Sequence, residues 1–159
     1  MNNVLSIINS IQAASKEAPC KKAIQKVIYL IQEAGGSLGF DYRIHFYGPY
    51  SADLDTEIRY LCSCGDLTIK ETGHGHLISV NDISETPSIS PNIQNVISIF
   101  GSKKPAQLEL LTTALYVQRA LSNPNSEDII AGVIKIKGQK YEIEQIKDSI
   151  SELKAKKYF

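Results

Sequence analysis

The sequence predicts an α+β fold that is rich in helix, with a winged-helix-like N-terminal half, a small antiparallel three-stranded sheet and an all-helical C-terminal half. Apolar residues recur at helical spacing over most of the chain. Between residues 42 and 80 they instead alternate with polar residues in three short segments, and glycine or proline separates these segments. We expect one domain over residues 1–159, made of residues 1–80, a linker at 81–92 and residues 93–159.

Two amphipathic helices are predicted before the first strand. Each has an apolar stripe at helical spacing, Val4, Ile7, Ile8 and Ile11 in the first and Ile24, Val27, Ile28 and Ile31 in the second. The second helix extends from about Cys20 to Ala34, and the glycine pair at 35–36 ends it.

The first strand is predicted where the period of the pattern changes to two. Tyr42, Ile44 and Phe46 alternate with Arg43, His45 and Tyr47. The first three side chains are expected in the core, and the other three on the opposite face of the strand. That second face is predicted either as a recognition patch that ends at Tyr50, since arginine and tyrosine are favoured in interfaces, or as a solvated strand face.

A third helix is predicted directly after the segment Tyr47-Gly48-Pro49-Tyr50-Ser51. Pro49 cannot continue a helix from Gly48, and Ser51 is a suitable N-cap, with Asp53 and Asp55 near the positive end of the helix dipole. Leu54, Ile58 and Leu61 form its buried stripe, and Gly65 ends it. Two strands should follow, containing Leu67 and Ile69, then Leu77 and Val80, with a glycine-rich turn at 72–75.

The remainder of the chain is predicted to be helical after the Ser-, Pro- and Asn-rich linker at 81–92. One short helix contains Ile93 to Phe100, and a longer one is capped by Ser102 and contains Pro105 in its first turn. A further helix begins at residues 126–128 and ends near Gly138, and the last begins at about Lys140.

Composition argues against several classes of function. The 159 residues include 17 basic and 17 acidic side chains, a balance that is unfavourable for coating nucleic acid or an anionic membrane. The sequence contains no apolar run of the roughly 18 residues that a membrane span needs, and its first residues do not resemble a signal peptide. Three cysteines fit reduced thiols, so we expect a cytoplasmic protein.

The outer face of the third helix favours a protein partner over DNA. In a winged-helix domain this helix would enter the major groove, but its expected outward residues Asp53, Asp55, Glu57 and Arg59 sum to −2. A winged-helix DNA-binding transcription regulator remains the alternative. Such a regulator could use a basic ridge on the last helix, where Lys140, Lys147 and Lys154 recur every seven residues before Lys156 and Lys157; the same lysines also fit a solvated helix face.

Signals for chemistry are weak. Cys62, Cys64, His74 and His76 are zinc-type ligands, but their C-x-C and H-x-H spacings match no common structural zinc pattern. A cysteine nucleophile among Cys20, Cys62 and Cys64 with His45 as base is conceivable, yet nothing in the sequence brings such a pair together. We therefore predict no catalytic residue, no cofactor and no metal, and obtain no prediction of the oligomeric state.

Three segments together carry a family resemblance. The helix containing Gln25, Lys26 and Tyr29 ("Q-K-x-x-Y"), the "Y-G-P-Y-S" segment at 47–51 and the helix 109–116 ("E-L-x-x-T-A-x-Y") occur in this order. In this combination the chain resembles the Panacea domain, the SocA-type antitoxin family with its YwgA-like, phage-associated relatives. The similarity covers roughly residues 20–155.

The resemblance implies a mainly helical cytosolic protein that acts as an antitoxin, or as an adaptor that delivers a toxin to a protease. We therefore expect a non-enzymatic protein-binding module. The residues expected to form its partner-binding surface are Arg43, His45, Tyr47, Gly48, Pro49, Tyr50, Asp53, Glu57 and Arg59, with Gly48 and Pro49 shaping the turn that presents the others.

Overall fold

The computed structural model describes residues 3–73, 75–82 and 88–159. Within these residues it contains seven helices and four strands, which confirms the helix-rich α+β class and the all-helical C-terminal half. In chain order the elements are α1 (Asn3–Ser15), α2 (Lys21–Glu33), β1 (Arg43–His45), β2 (Gly48–Tyr50), α3 (Ala52–Ser63), β3 (Leu67–Thr72), β4 (Gly75–Val80), α4 (Pro91–Phe100), α5 (Pro105–Ala120), α6 (Ser126–Lys137) and α7 (Ile143–Ala155).

The strands form two two-stranded antiparallel sheets, and the expected three-stranded sheet is wrong. β1 pairs with β2, so that Arg43 lies opposite Tyr50 and His45 opposite Gly48, while β3 pairs with β4. The reason is local, since the chain reverses direction at residues 46–47 and the first strand closes on the Gly-Pro segment that follows it. The second sheet instead meets the start of α2, through a bridge between Cys20 and Leu77.

Helix α2 lies at the centre of the structure. Its predicted stripe of Ile24, Val27, Ile28 and Ile31 is buried, as are the predicted stripes of α1 and α3. The buried side chains of both halves of the chain join in one hydrophobic core. Two polar residues of α2, Gln25 and Lys26, are also buried in this core, with exposed fractions of 1% and 3%. A buried amide and a buried ammonium require partners, and those partners define the site described below.

Several predicted helix boundaries agree with the structure, and two differ. Ser51 caps α3 by accepting a hydrogen bond from the Leu54 amide at 3.2 Å, as predicted. Helix α5 begins at Pro105 with Lys104 as N-cap, two residues later than Ser102 would place it. Helix α7 begins at Ile143 after its N-cap Glu142, so Lys140 precedes the helix. The predicted linker at 81–92 overlaps α4, which begins at Pro91, and residues 83–87 lie outside the described part of the chain.

Gly48 offers a test of how closely α5 approaches the hairpin formed by β1 and β2. Its φ is +95°, and a Cβ there would lie 3.0 Å from Thr113 Oγ1. Gly35 is the matched control, because its φ is +99° and no atom lies within 4 Å of its Cβ position. Both alanine variants should lose about 1 kcal/mol from the positive φ. We expect Gly48→Ala to lose roughly a further 1 kcal/mol from overpacking, measured by urea unfolding. Equal losses in the two variants would contradict the close packing.

Candidate functional site

The segment Gly48–Ser51, here called the GPYS segment, is held by two side chains of α2. The Gln25 amide forms two hydrogen bonds with the Ser51 backbone: its Nε2 donates to the Ser51 carbonyl and its Oε1 accepts from the Ser51 N–H, both at 2.9 Å. Lys26 Nζ donates to the Pro49 carbonyl at 2.7 Å. The Q-K pair of the sequence motif thus binds the backbone of the G-P-Y-S motif, and the order of the two motifs along the chain reflects a direct contact.

Helix α5 supplies the third motif to the same place. Glu109 accepts hydrogen bonds from Lys137 Nζ at 2.6 Å and from Lys140 Nζ at 2.8 Å, and Lys137 Nζ also donates to the Phe46 carbonyl at 2.7 Å. Thr113 Oγ1 faces Gly48. We call Gln25, Lys26, Glu109, Thr113 and Lys137 the buried polar cluster. It joins α2, α5 and α6 to the backbone on both sides of the hairpin turn.

The charges of this cluster shift the pKa values of two of its members. Burial lowers the pKa of Lys26 to about 8, against the opposing effect of Glu109. Burial alone would raise the pKa of Glu109, but hydrogen bonds from Lys137 and Lys140, together with their charges, hold it below its ordinary value. Glu109 is therefore ionised at neutral pH and compensates the charge of the lysines around it.

Three tyrosine rings continue the contact between α2 and α5. Tyr29, the last residue of the Q-K-x-x-Y motif, lies 5.0 Å from the Tyr42 ring and 6.5 Å from the Tyr116 ring between centroids. The Tyr42 hydroxyl donates to the Gln25 carbonyl at 2.9 Å. Burial raises the pKa of both Tyr29 and Tyr42 well above the usual range of a phenol. The hydroxyl groups of Tyr29 and Tyr42 therefore remain protonated, and the three rings contribute to the packing between the two helices.

The turn of the hairpin presents two aromatic rings, one of which the sequence misassigns. Phe46, expected in the core, is 83% exposed, because β1 ends at His45 and alternation does not continue into the turn. Tyr47 is 44% exposed and meets the Phe46 ring edge-on, with 5.0 Å between centroids. Lys22 Nζ lies 3.4 Å from the centre of the Tyr47 ring. We call Phe46 and Tyr47 the hairpin tip.

The other predicted site residues fall into two groups around the hairpin tip. On the hairpin itself, Arg43 is exposed beside Asp41, and the His45 ring packs 4.9 Å from the Tyr50 ring. Gly48 and Pro49, placed in the predicted surface, are both buried under α2 and α5, so their own atoms are not available to a partner.

Helix α3 carries the rest of the predicted surface. Asp53 and Arg59 are exposed and Glu57 is half-buried, but Asp55, expected to point outward, is only 6% exposed. Asp55 pairs with Lys21 of α2 and with Arg59 Nε at 3.0 Å. Burial alone would raise the pKa of Asp55, and the Lys21 hydrogen bond, the Lys21 and Arg59 charges and a hydrogen bond with Tyr50 lower it below its ordinary value.

A cavity of about 280 Å³ lies between the start of α2, the hairpin and β4. Its lining is mostly apolar, with three lysines and two histidines at its polar positions. The lining residues are Cys20, Lys21, Lys22, Gln25, Lys26, His45, Phe46, Tyr47, Gly48, Tyr50, Gly75 and His76. Cys20 and His45, considered as a nucleophile and a base from sequence, thus border the same space, although no contact joins them in the described structure.

The remaining sequence-based signals are not brought together. Among residues 3–73, 75–82 and 88–159, no group of three His, Cys, Asp or Glu side chains is arranged to hold a metal ion. His74 lies outside the described residues, and His76 Nε2 contacts Glu71 at 3.1 Å. No helix in the described ranges has the length and apolar character needed to cross a membrane.

The five lysines considered as a basic ridge on the last helix have different surroundings. Lys140 precedes α7 and binds Glu109, Lys147 pairs with Glu144 on its own helix, and Lys154 donates to Ser126 of α6 at 3.0 Å. Only Lys140 departs from the row, since it lies before α7; Lys147, Lys154, Lys156 and Lys157 are exposed on or directly after this helix.

Sequence reasoning missed the residues that hold the site together. Lys26, Glu109 and Lys137 were not identified as members of one cluster, since they lie on three helices and up to 111 positions apart. One signal was available: an acidic residue inside the apolar stretch of α5, which requires a buried cation as partner.

Replacing Glu109 tests the buried polar cluster. Glu109→Gln leaves Lys26, Lys137 and Lys140 without their shared carboxylate, and we expect a loss of about 2–3 kcal/mol near pH 7. Because the folded pKa of Glu109 lies below its ordinary value of 4.5, this difference from the wild type should persist above that pH and disappear as the pH falls through the folded pKa.

The control for this substitution is Glu144→Gln. Glu144 is exposed and pairs with Lys147 at 3.4 Å, so its loss should change the unfolding free energy by less than about 0.5 kcal/mol. Urea unfolding at several pH values measures both variants. Similar effects of the two substitutions would contradict a buried ionic role for Glu109.

Comparison with known proteins gives one informative similarity. No protein-family model matches the chain. The chain is 29% identical over 143 residues to the Bacillus subtilis (strain 168) protein named "Uncharacterized protein YwgA", an alignment that covers 84% of this chain and 86% of that protein. The YwgA-like part of the resemblance is thereby supported across most of the chain.

Proposed function

We propose that this protein is a non-enzymatic protein-binding module that contacts its partner through the hairpin tip. The observation that carries the proposal is the Phe46 ring, which is 83% exposed on a backbone fixed from both sides. Lys137 holds the Phe46 carbonyl, and Lys26 holds the Pro49 carbonyl three residues later, each at 2.7 Å. Apart from its edge contact with Tyr47, a ring this exposed adds little to the stability of the isolated chain, and aromatic residues of this kind dominate binding energies in protein interfaces.

The fixed backbone makes the hairpin tip suitable for binding. A flexible loop loses conformational entropy when a partner orders it, whereas an element already held by buried hydrogen bonds loses little. Polar side chains of the same region would form the rim of the interface: the exposed Arg43 and His45 and the half-buried Tyr50 on the hairpin, and the exposed Asp53 and Arg59 and the half-buried Glu57 on α3. The proposed interface keeps the accessible residues of the surface expected from the sequence, and Phe46 replaces α3 at its centre.

The partner class follows from the family resemblance. We propose that the protein neutralises a toxin, or delivers one to a protease, by direct contact in the cytoplasm. The three motifs of the Panacea resemblance support this proposal because they are the residues that fix the hairpin. A segment held in this way is suited to presenting a surface to a partner.

Phe46→Ala tests the proposal. The partner would first be isolated on the tagged wild-type protein from its native cells, then purified and titrated calorimetrically. We expect Phe46→Ala to weaken this binding by at least about 2 kcal/mol, roughly thirtyfold, with little change in thermal midpoint because the ring is exposed. Tyr50 and Arg59 are less suitable probes, since both also bind Asp55.

Leu121→Ala is the matched control. Leu121 is an exposed apolar residue at the end of α5, about 18 Å along the helix from Glu109. The Leu121→Ala variant should bind the partner with wild-type affinity. Wild-type affinity in Phe46→Ala would refute the assignment of the hairpin tip. Steeply salt-dependent binding to random duplex DNA, with no protein partner, would favour the winged-helix regulator instead.

A further inference from the structure

The first turn of α2 has an unfavourable charge arrangement. The helix begins with Lys21 and Lys22 and has no acidic residue in its first turn, although the positive end of a helix dipole favours anions. Lys21 is compensated by Asp55. Lys22 has no carboxylate partner among the described residues, and its ammonium lies over the Tyr47 ring at the border of the 280 Å³ cavity. An anion bound there would relieve the repulsion.

The surroundings of the cavity carry a surplus of positive charge. Six basic side chains lie in its lining or in ion pairs next to it, and three carboxylates, Asp55, Glu71 and Glu109, lie beside it. The six are Lys21, Lys22, Lys26, Arg59, Lys137 and Lys140. Asp55 and Glu109 already pair with two cations each, Glu71 contacts His76, and none of the described lining residues is acidic. Because the net charge of the whole chain is zero, this surplus of positive charge is a property of the cavity and its surroundings.

A buried lysine in the lining has unused donors. Lys26 is 3% exposed, and its ammonium has three N–H groups, yet the described residues provide one hydrogen-bond acceptor, the Pro49 carbonyl. Buried donors are normally satisfied, so a ligand oxygen in the cavity would complete the set. This observation does not depend on the charges in the first turn of α2, and it also indicates an anionic ligand.

The rest of the lining is apolar and aromatic. The Phe46, Tyr47 and Tyr50 rings border the cavity, and its volume is near the lower end of small-molecule sites. We propose that this cavity binds a small organic anion, whose flat apolar body packs against the tyrosine rings and whose anionic group lies between Lys22, Lys26 and the first turn of α2. This proposal does not rest on the protein-binding function, since it concerns a ligand that the chain binds alone.

Phenyl phosphate is the probe, and amide chemical shifts of the full chain are the readout. We expect saturable binding, with the largest shifts at cavity residues such as Lys22, Tyr47 and His76. Benzyl alcohol, which lacks the charge, and inorganic phosphate, which lacks the ring, should each bind at least about tenfold more weakly.

Lys22→Gln should weaken phenyl phosphate binding by about tenfold. The thermal midpoint should change little, because the substitution removes a cation from the positive end of a helix and also removes a stabilising contact with the Tyr47 ring. The matched control is Lys147→Gln, which replaces an exposed lysine on α7. This variant should bind phenyl phosphate with wild-type affinity. No saturable binding, equal binding of benzyl alcohol, or unchanged affinity in Lys22→Gln would overturn the proposal. The phenyl phosphate titration contains no partner protein, so its outcome does not affect the Phe46→Ala test of protein binding.

Discussion

The pairing of the Gln25 side chain with the Ser51 backbone is the interaction on which the rest of the structure depends. A primary amide can bind a backbone N–H and C=O at once, and here it does so in the core. The Ser51 N–H would otherwise be buried without a partner, while the Ser51 carbonyl also accepts a hydrogen bond from the Asp55 N–H at 3.2 Å. The pairing fixes the GPYS segment against α2 at the point where β2 ends and α3 begins. The start of α3 follows from this contact, and the position of the hairpin follows from it together with the lysine bonds to the Phe46 and Pro49 carbonyls.

The buried polar cluster extends this constraint to the C-terminal half of the chain. Glu109 compensates the lysines that hold the hairpin backbone, so α5 and α6 contribute to the same site as α2. Replacing the cluster by apolar residues of similar volume would not necessarily destabilise a core, but it would remove the hydrogen bonds that set the direction of the hairpin. The cluster therefore accounts for positional specificity, and it explains why three motifs far apart in the sequence occur together.

The sequence predicted what depends on periodicity and missed what depends on tertiary contacts. The buried stripe of α2 follows from the spacing of Ile24, Val27 and Ile28, and the Ser51 cap follows from its chemistry. Phe46 was misassigned because alternation holds only while the strand continues, and Asp55 because its partner Lys21 lies 34 residues earlier on another helix. The exposure of Arg43, Asp53 and Arg59 follows from their polar character, whereas the exposure of Phe46 could not be predicted, since it depends on where the chain reverses.

Hydrogen exchange of the Ser51 amide tests the role of Gln25 most directly. Gln32 is the matched control, because its side chain pairs with the Phe40 backbone in the same two-bond manner at a half-buried position. We expect the Ser51 amide of the wild type to exchange only in large unfolding events, and to exchange much faster in Gln25→Met than the loss of global stability explains. Gln32→Met should leave it protected. Fast exchange at Ser51 in the wild type, or unchanged protection in Gln25→Met, would contradict the account.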